Sequence, residues 1–329
     1  MTASSAPSSA PASKGLILAC LAAVYVVWGT TYFALKVAVQ GAGPYFLVGT
    51  RFVVAGALLL IWLKLRGQRM PTPRQWANSA LLGLLMLALG IGNVTVAERT
   101  VSSGAAVALI SVLPLAIALW SGLLEKWPGR EQWLAIVIGL IGTLVMVAGA
   151  DLRASPGGTA LILFATLAWS LGTVLSRRID VPHGAMGFAA EMFVGGLVAL
   201  VISAAFRESW VLPHSAPVWW AWVYLVVFGS LIAFSAYRIL VERASPTLAS
   251  TYAYVNPPVA LFVGWWLGNE TFSKNVFIGL PIVLAAVGLH TWTQLRSTPA
   301  ATPAPAATLP SPADAATRST SHTPATAAD

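Results

Sequence analysis

Long, nearly unbroken apolar stretches alternate along this chain with short polar connections. The run from Leu16 to Lys36 shows neither the strict alternation of a half-buried strand nor the wide polar stripe of a soluble surface helix. A helix that is apolar on every side needs lipid or a large protein core around it. A bilayer core of roughly 30 Å takes about 20 residues per helix. On that ruler the predicted spans are 16–36, 45–65, 76–97, 101–124, 132–150, 158–177, 185–206, 218–240, 246–268 and 276–295. The first run is longer than the roughly 7–15 apolar residues of a signal-peptide core, so it reads as a retained helix. Residues 1–13 and 298–329 are dominated by Ala, Ser, Thr and Pro. Such segments bury too little apolar surface to offset chain entropy, and both are expected to be disordered.

Composition agrees with the pattern. The chain has 329 residues, 57% hydrophobic and 9% charged, with mean hydropathy +0.77. A soluble domain carries about 25% charged residues, so the partner of most of this surface is the lipid bilayer. The single cysteine, Cys20, excludes an internal disulfide and a cysteine-built metal site. The net charge of +8 and pI near 10.0 do not indicate nucleic acid, because the basic residues are scattered through short loops rather than gathered on one face.

Those loop charges instead set an orientation, since cytoplasmic loops collect Lys and Arg. With the N-terminus inside, the cytoplasmic set is Lys14, Lys64, Arg66, Arg69, Arg74, Lys126, Arg130, Arg177, Arg178, Arg238, Arg243 and Arg296. The opposite set is Lys36, Arg99, Arg153, Arg207 and Lys274. Twelve against five places both termini in the cytoplasm.

An internal repeat divides the chain. Glu98-Arg99 returns as Glu242-Arg243, and at the same offset Ser103 meets Thr247, Ala105 meets Ala249 and Pro114 meets Pro258. Trp28 and Lys36 find Trp169 and Arg177 at a slightly shorter offset. Charged, proline and tryptophan matches of this kind do not arise from apolar composition alone. The predicted division is a tail over 1–13, a first repeat over 14–150, a second over 151–297 and a tail over 298–329. Each repeat holds an odd number of spans, so the second inserts upside down. Inverted repeats with interrupted helices at corresponding positions mark secondary transporters. The predicted fold is an all-α integral membrane protein, with ten transmembrane helices in two inverted five-helix repeats around a central cavity.

The stretch Val27-Trp28-Gly29-Thr30-Thr31-Tyr32-Phe33, the pair Arg51-Phe52, the segment from Ala97 to Pro114 and the run Ala249 to Pro257 together resemble the drug/metabolite transporter superfamily. Within it the chain resembles the EamA-type ten-helix exporters of bacterial inner membranes, and most of all their YedA-like branch. The resemblance covers Leu16 to Arg296. It implies a multi-pass inner-membrane protein with two repeats, a central cavity and export of small metabolites, without fixing one substrate.

The run Tyr252-Ala253-Tyr254-Val255-Asn256-Pro257-Pro258 is expected to interrupt its helix, because each proline removes an amide donor and clashes with the preceding turn. Irregular backbone at membrane depth survives only inside protein or along a wet cavity. Tyr252 and Asn256 share a helical face and are assigned to the cavity, with Pro114 and Pro258 shaping it. Trp28 and Trp169 lie mid-span, away from the interfacial belt where tryptophan collects. They are candidates to stack on a substrate. Asn93 and Tyr237 complete the candidate cavity set.

Two charged residues lie well inside the spans: Arg51 and Glu191. Each sits about six residues, or roughly 9 Å, from opposite ends of its helix, so the two are not expected to pair. Glu191 is the candidate proton site, since a desolvated carboxylate favours its protonated form. Arg51 is expected to be a structural intramembrane charge. Glu98-Arg99 and Glu242-Arg243 fall at helix ends and read as interfacial anchors or intraloop salt bridges. There is no zinc motif, no Walker loop and no nucleotide-binding domain. No cofactor, metal or nucleic-acid partner is expected. The sequence points to a non-enzymatic secondary transporter, monomeric or homodimeric, exporting amino acids or similar amphipathic solutes, with protons as a candidate coupling ion. The alternatives are a passive facilitator with the same architecture and a membrane-embedded enzyme or sensor.

Overall fold

The computed structural model describes residues 14–124, 127, 129–149, 155–211, 215–243 and 252–297. The expected disordered tails, and the segment from Ala244 to Thr251, lie outside them. The described residues form helices with no strand among them. In chain order these are α1 (Lys14–Ala38), α2 (Pro44–Leu65), α3 (Pro73–Ala97), α4 (Ser103–Leu124) and α5 (Arg130–Val147). They are followed by α6 (Pro156–Leu175), α7 (Ala185–Ala205), α8, α9 (Tyr252–Gly268) and α10 (Lys274–Ser297). Helix α8 joins Ala216–Tyr224, Leu225–Ile232 and Ala233–Arg243. Seven of these helices are long and apolar enough to cross a membrane, and Trp133–Met146 in α5 and Lys274–Leu289 in α10 are shorter apolar stretches.

The helix starts follow local chemistry. Thr72 and Gln75 close a reciprocal capping box at the start of α3. The carboxylate of Glu208, just past α7, accepts hydrogen bonds from the backbone of Tyr45 at 3.3 Å and Phe46 at 2.9 Å. It thereby supplies both an acceptor and a negative charge at the positive end of α2.

Packing is organised in pairs. Helix α2 lies along α7 and α5 along α10, while α4 meets both α9 and α6. Helix α1 packs against α8 and α9, and α3 packs against α6 and α7. One apolar core gathers α4, α5 and α10, among them Leu115, Ile136 and Val283. Another joins α2, α3, α7 and α8 through Phe52, Leu87, Met192 and Val226. Large apolar side chains such as Ile61, Val201, Trp265 and Trp266 face outward.

Two helices carry π-helical segments, Gly83–Gly92 in α3 and Leu225–Ile232 in α8. Such widened turns are frequent at functional sites. The interruption expected at Pro257-Pro258 is not there: α9 runs through both prolines. Each proline removes a single amide donor, and the remaining helical bonds with the contacts to α1 hold the axis, as membrane helices tolerate. Close approach is part of that support, because a Cβ on Gly29 of α1 would lie 2.6 Å from the Val259 side chain. The break occurs in the other half. Residues Ser111 and Val112 form a turn between Ser103–Ile110 and Leu113–Leu124, just ahead of Pro114.

The α2–α7 contact depends on missing side chains. A Cβ on Gly56 would sit 2.5 Å from the backbone nitrogen of Phe193, and no rotamer change relieves a backbone clash. Gly56→Ala should therefore force the two helices apart, destabilising the fold by about 1–3 kcal/mol as overpacking does. A detergent melting curve should show a lowered Tm, whereas Gly157→Ala, which meets nothing within 4 Å, should leave it unchanged.

Candidate functional site: a cavity between an aromatic cluster and a buried ionic cluster

A cavity of about 110 Å³ opens between the helices. A single water needs roughly 10–15 Å³ on the same measure, so this space is a solute-sized feature rather than a packing defect. Helix α1 contributes Trp28, Thr31, Tyr32 and Leu35, spaced as one helical face. Gly90, Ile91 and Val94 come from α3, Trp169 and Thr166 from α6, and Tyr252 and Asn256 from α9. Phe234 of α8 and Arg51 of α2 complete opposite parts of the wall. A smaller pocket adjoins it, sharing Tyr32, Ile110, Tyr252 and Asn256, and reaches Ser111 at the α4 turn and Pro257.

One part of the wall is aromatic. The Trp28 ring meets Tyr252 edge-on at 5.0 Å, Phe234 at 5.3 Å and Tyr237 at 5.2 Å. Tyr237 and Tyr252 are perpendicular to each other at 5.7 Å. Such edge-to-face contacts fix ring orientation. They make a rigid apolar surface.

An ionic cluster lies further along the same helical faces. Lys36 is one turn beyond Tyr32 on α1, and Glu98 is one turn beyond Val94 at the end of α3. Lys36 Nζ pairs with Glu270 Oε1 at 2.8 Å. Glu270 also accepts from Ser103 Oγ at 2.9 Å and from the backbone of Ser103 at 3.2 Å and Gly104 at 3.4 Å, capping α4. Glu98 is 1% exposed, and neither carboxylate oxygen has a hydrogen-bond partner among the described residues. Desolvation, reinforced by Glu270 and opposed by Lys36, holds its carboxyl well above the usual carboxylate range.

Of the residues singled out from sequence, Trp28, Trp169, Tyr252, Asn256 and Arg51 stand on the cavity wall, and Tyr237 backs it through Trp28 and Tyr252. Asn93 lies off the wall, its Oδ1 accepting from the Tyr45 hydroxyl at 2.7 Å and its Nδ2 donating to the Leu89 carbonyl at 2.8 Å. Pro258 is exposed, one residue round the helix from Pro257 on the inner pocket. Pro114 is the second residue of Leu113–Leu124, where its missing amide is least needed; its side chain lies outside the described set. Glu191 is on α7, in the layer formed with α2 and α3, and does not line the cavity.

Sequence reading did not place Glu98 or Glu270 at a site. The available signal was periodicity, because Gly90, Val94 and Glu98 repeat every four residues along one face, as do Trp28, Tyr32 and Lys36. Arg51 likewise stands on the wall rather than only between helices.

The Glu98 carboxyl binds its proton more tightly folded than unfolded. Between the ordinary carboxylate range and its raised folded value, the unfolded chain holds fewer protons, so rising pH lowers stability. The contribution is complete below the unfolded value of about 4.3 and lost as pH passes the folded value. Melting curves of the wild type should therefore fall from pH 5 upward, and Glu98→Gln should flatten that slope. An unchanged slope in Glu98→Gln would assign the titration to another group.

The comparisons with known proteins agree with this architecture. The EamA-like transporter family matches residues 13–148 and again 156–292. The uncharacterized inner membrane transporter YedA of Escherichia coli (strain K12) is 40% identical over 276 residues, 84% of this chain and 90% of its own length. The uncharacterized transporter YdfC of Bacillus subtilis (strain 168) is 26% identical over 74% of this chain and 80% of its own. A crystal structure with 20% identity superposes with a TM-score of 0.59 over 85% of this chain and 98% of its own, which concerns the fold alone. The chain belongs to the EamA-like transporter family, within the YedA-like branch of the drug/metabolite transporters, and is a multi-pass inner membrane transporter rather than an enzyme.

Proposed function

We propose that this protein exports small amphipathic organic metabolites, amino acids or similar solutes, by alternating access of two inverted five-helix repeats. The observation that carries the reading is the cavity itself: a rigid aromatic surface shares one space with unmatched polar groups, Arg51 Nη1 and Asn256 Oδ1. Buried polar atoms without partners are rare in settled interiors. A solute with an apolar body and a polar head satisfies both kinds of wall.

The ten-span, inverted arrangement is supported by how the helices pair. Shifting every helix by five exchanges α1–α9 with α6–α4 and α1–α8 with α6–α3, and returns α2–α7, α5–α10 and α4–α9 to themselves. The same shift brings the π-helical segment of α3 onto that of α8. Sites at the interface of such repeats are where alternating-access transporters hold substrate. With both termini cytoplasmic, the ionic cluster faces the outer end of the cavity.

Coupling is assigned to a buried carboxylate. Glu191 is the intramembrane candidate on α7, and Glu98 is the one that lies one turn beyond the cavity-lining Val94, with Glu270 beyond α9 and Lys36 of α1 acting on it. A passive facilitator would need neither.

In liposomes loaded with a panel of amino and aromatic acids, the purified protein should release particular members faster than protein-free vesicles do. Trp28→Ala should slow that release about tenfold or more, the loss of an aromatic contact plus its packing. Release no faster than from empty vesicles across the panel removes the transporter mechanism proposed here. An imposed pH gradient should change the rate, and Glu191→Gln or Glu98→Gln should abolish the change. A rate indifferent to pH in the wild type leaves the facilitator.

A further inference from the structure

Arg51 is 1% exposed, in the membrane-spanning part of α2, and lines the cavity. Its Nε donates to Ser230 Oγ at 2.9 Å, and Ser230 Oγ donates in turn to the Leu225 carbonyl at 3.0 Å. That second bond spans five residues, so it is the π-helical turn of α8 that presents the serine. The guanidinium lies 4.7 Å over the Phe52 ring, a favourable cation–π distance. Room for it comes from Gly229, where a Cβ would stand 3.0 Å from Nη2. Three features thus hold the group in one place.

The same group is left incomplete. Nη1 has no hydrogen-bond partner, and the ion pair found among the described residues is Lys36–Glu270, which does not include Arg51. A buried charge without a counterion is strongly unfavourable, and proteins keep one where function supplies the partner. A purely structural arginine would have its fork filled by the protein.

We propose that Arg51 is an anion subsite in the cavity wall, taking the carboxylate of a small monocarboxylate solute whose apolar body lies against Trp28, Phe234, Tyr252 and Trp169. This rests on reading the cavity as a solute site. One unpaired cation calls for one negative charge. A phosphate-type dianion would bring a second charge into a cavity whose lining, with Leu35, Ile91, Val94 and Ala165 in it, is largely apolar. Asn256 Oδ1, 5% exposed in residue terms and unpartnered on the same wall, adds a place for a donor. The solute class is therefore an amino or hydroxy acid with an apolar side group.

The test uses the full chain purified in detergent and three probes of one shape: 3-phenyllactate, 3-phenyllactamide and 2-phenylethylphosphonate at pH 8. Phenyllactate should raise Tm, with a half-effect concentration about tenfold or more below that of the amide, as expected for a charge-assisted bond. The phosphonate should do no better than the amide. Arg51→Gln should erase the gap between acid and amide. Arg51→Lys keeps the charge without the fork and should narrow it, as should Ser230→Ala, which frees the guanidinium. The proposal is overturned by equal effects of acid and amide in the wild type, by no effect of the acid, or by a preference for the phosphonate. It is equally overturned by an undiminished gap in Arg51→Gln or, where that variant does not fold, in Arg51→Lys and Ser230→Ala. Binding in detergent and release from liposomes are separate readings. Acid-selective binding without release sinks the transport mechanism alone, and release without acid selectivity sinks the subsite alone.

Discussion

Every polar group in this protein that lies away from its ends must find a partner without bulk water, and the architecture follows from that constraint. Helices satisfy their own backbones, so the chain is helical wherever it is apolar. The exceptions are few and placed. The turn at Ser111–Val112 in α4 lies beside the smaller pocket, and the Ser111 hydroxyl donates back to the Ala108 carbonyl at 2.5 Å. The helix ends at one side of the bundle are closed by carboxylates from other elements. Glu208 caps α2 and Glu270 caps α4, each borrowed from the segment that follows the paired helix, α7 or α9. A charge placed at a helix start satisfies orphan amides and opposes the end of the macrodipole. It also ties the two partners of a pair together.

Against that background the unmatched groups are informative because they are so few in kind. The described side-chain atoms left buried and unpartnered include Arg51 Nη1, both Glu98 oxygens and Asn256 Oδ1. Arg51 and Asn256 line the cavity, and Glu98 sits one turn above a residue that does. Ser79 Oγ on α3 is unpartnered away from the cavity, so it is the charged and amide groups, rather than every unmatched atom, that gather near this space. Strain of this sort, positioned where a ligand or proton can relieve it, is how a site is prepared in advance of its solute.

The spans were legible because hydropathy and length decide them almost alone. The predicted 45–65 and 185–206 fall within a residue of Pro44–Leu65 and Ala185–Ala205. Helix breaks were less legible. Pro257-Pro258 looks more disruptive in the sequence than Pro114, yet α9 continues and α4 does not. The outcome is set by what packs alongside, Val259 against Gly29 in one case and a pocket at Ser111 in the other, and neither is visible in local composition. Among the candidate residues, the cavity-wall positions of Trp28, Trp169, Tyr252 and Asn256 could be read from face and depth. Asn93 could not, because its partner Tyr45 is 48 residues away and on another helix. Glu98 misled for a different reason: a carboxylate at a helix end is normally solvated, and only the fold reveals that this end is covered.

The placement of charge along α1 joins these points into one mechanism of selectivity and access. Trp28, Tyr32 and Lys36 follow one another at single-turn spacing, so one rigid helix carries the aromatic surface, the boundary between the two pockets and the cation of the ionic cluster. Helix α3 runs beside the same space with Gly90, Val94 and Glu98 in the same order. A rotation or shift of α1 against α3 that alters the cavity wall also changes the distance between Lys36 and Glu98. Lys36 has two acidic neighbours and bonds to one, Glu270, which holds the start of α4. A protonated Glu98 leaves Lys36 to Glu270, whereas an ionised Glu98 competes for the same cation. Under the proposed proton coupling, solute and proton would act on neighbouring turns of the same two helices, so no long pathway is needed.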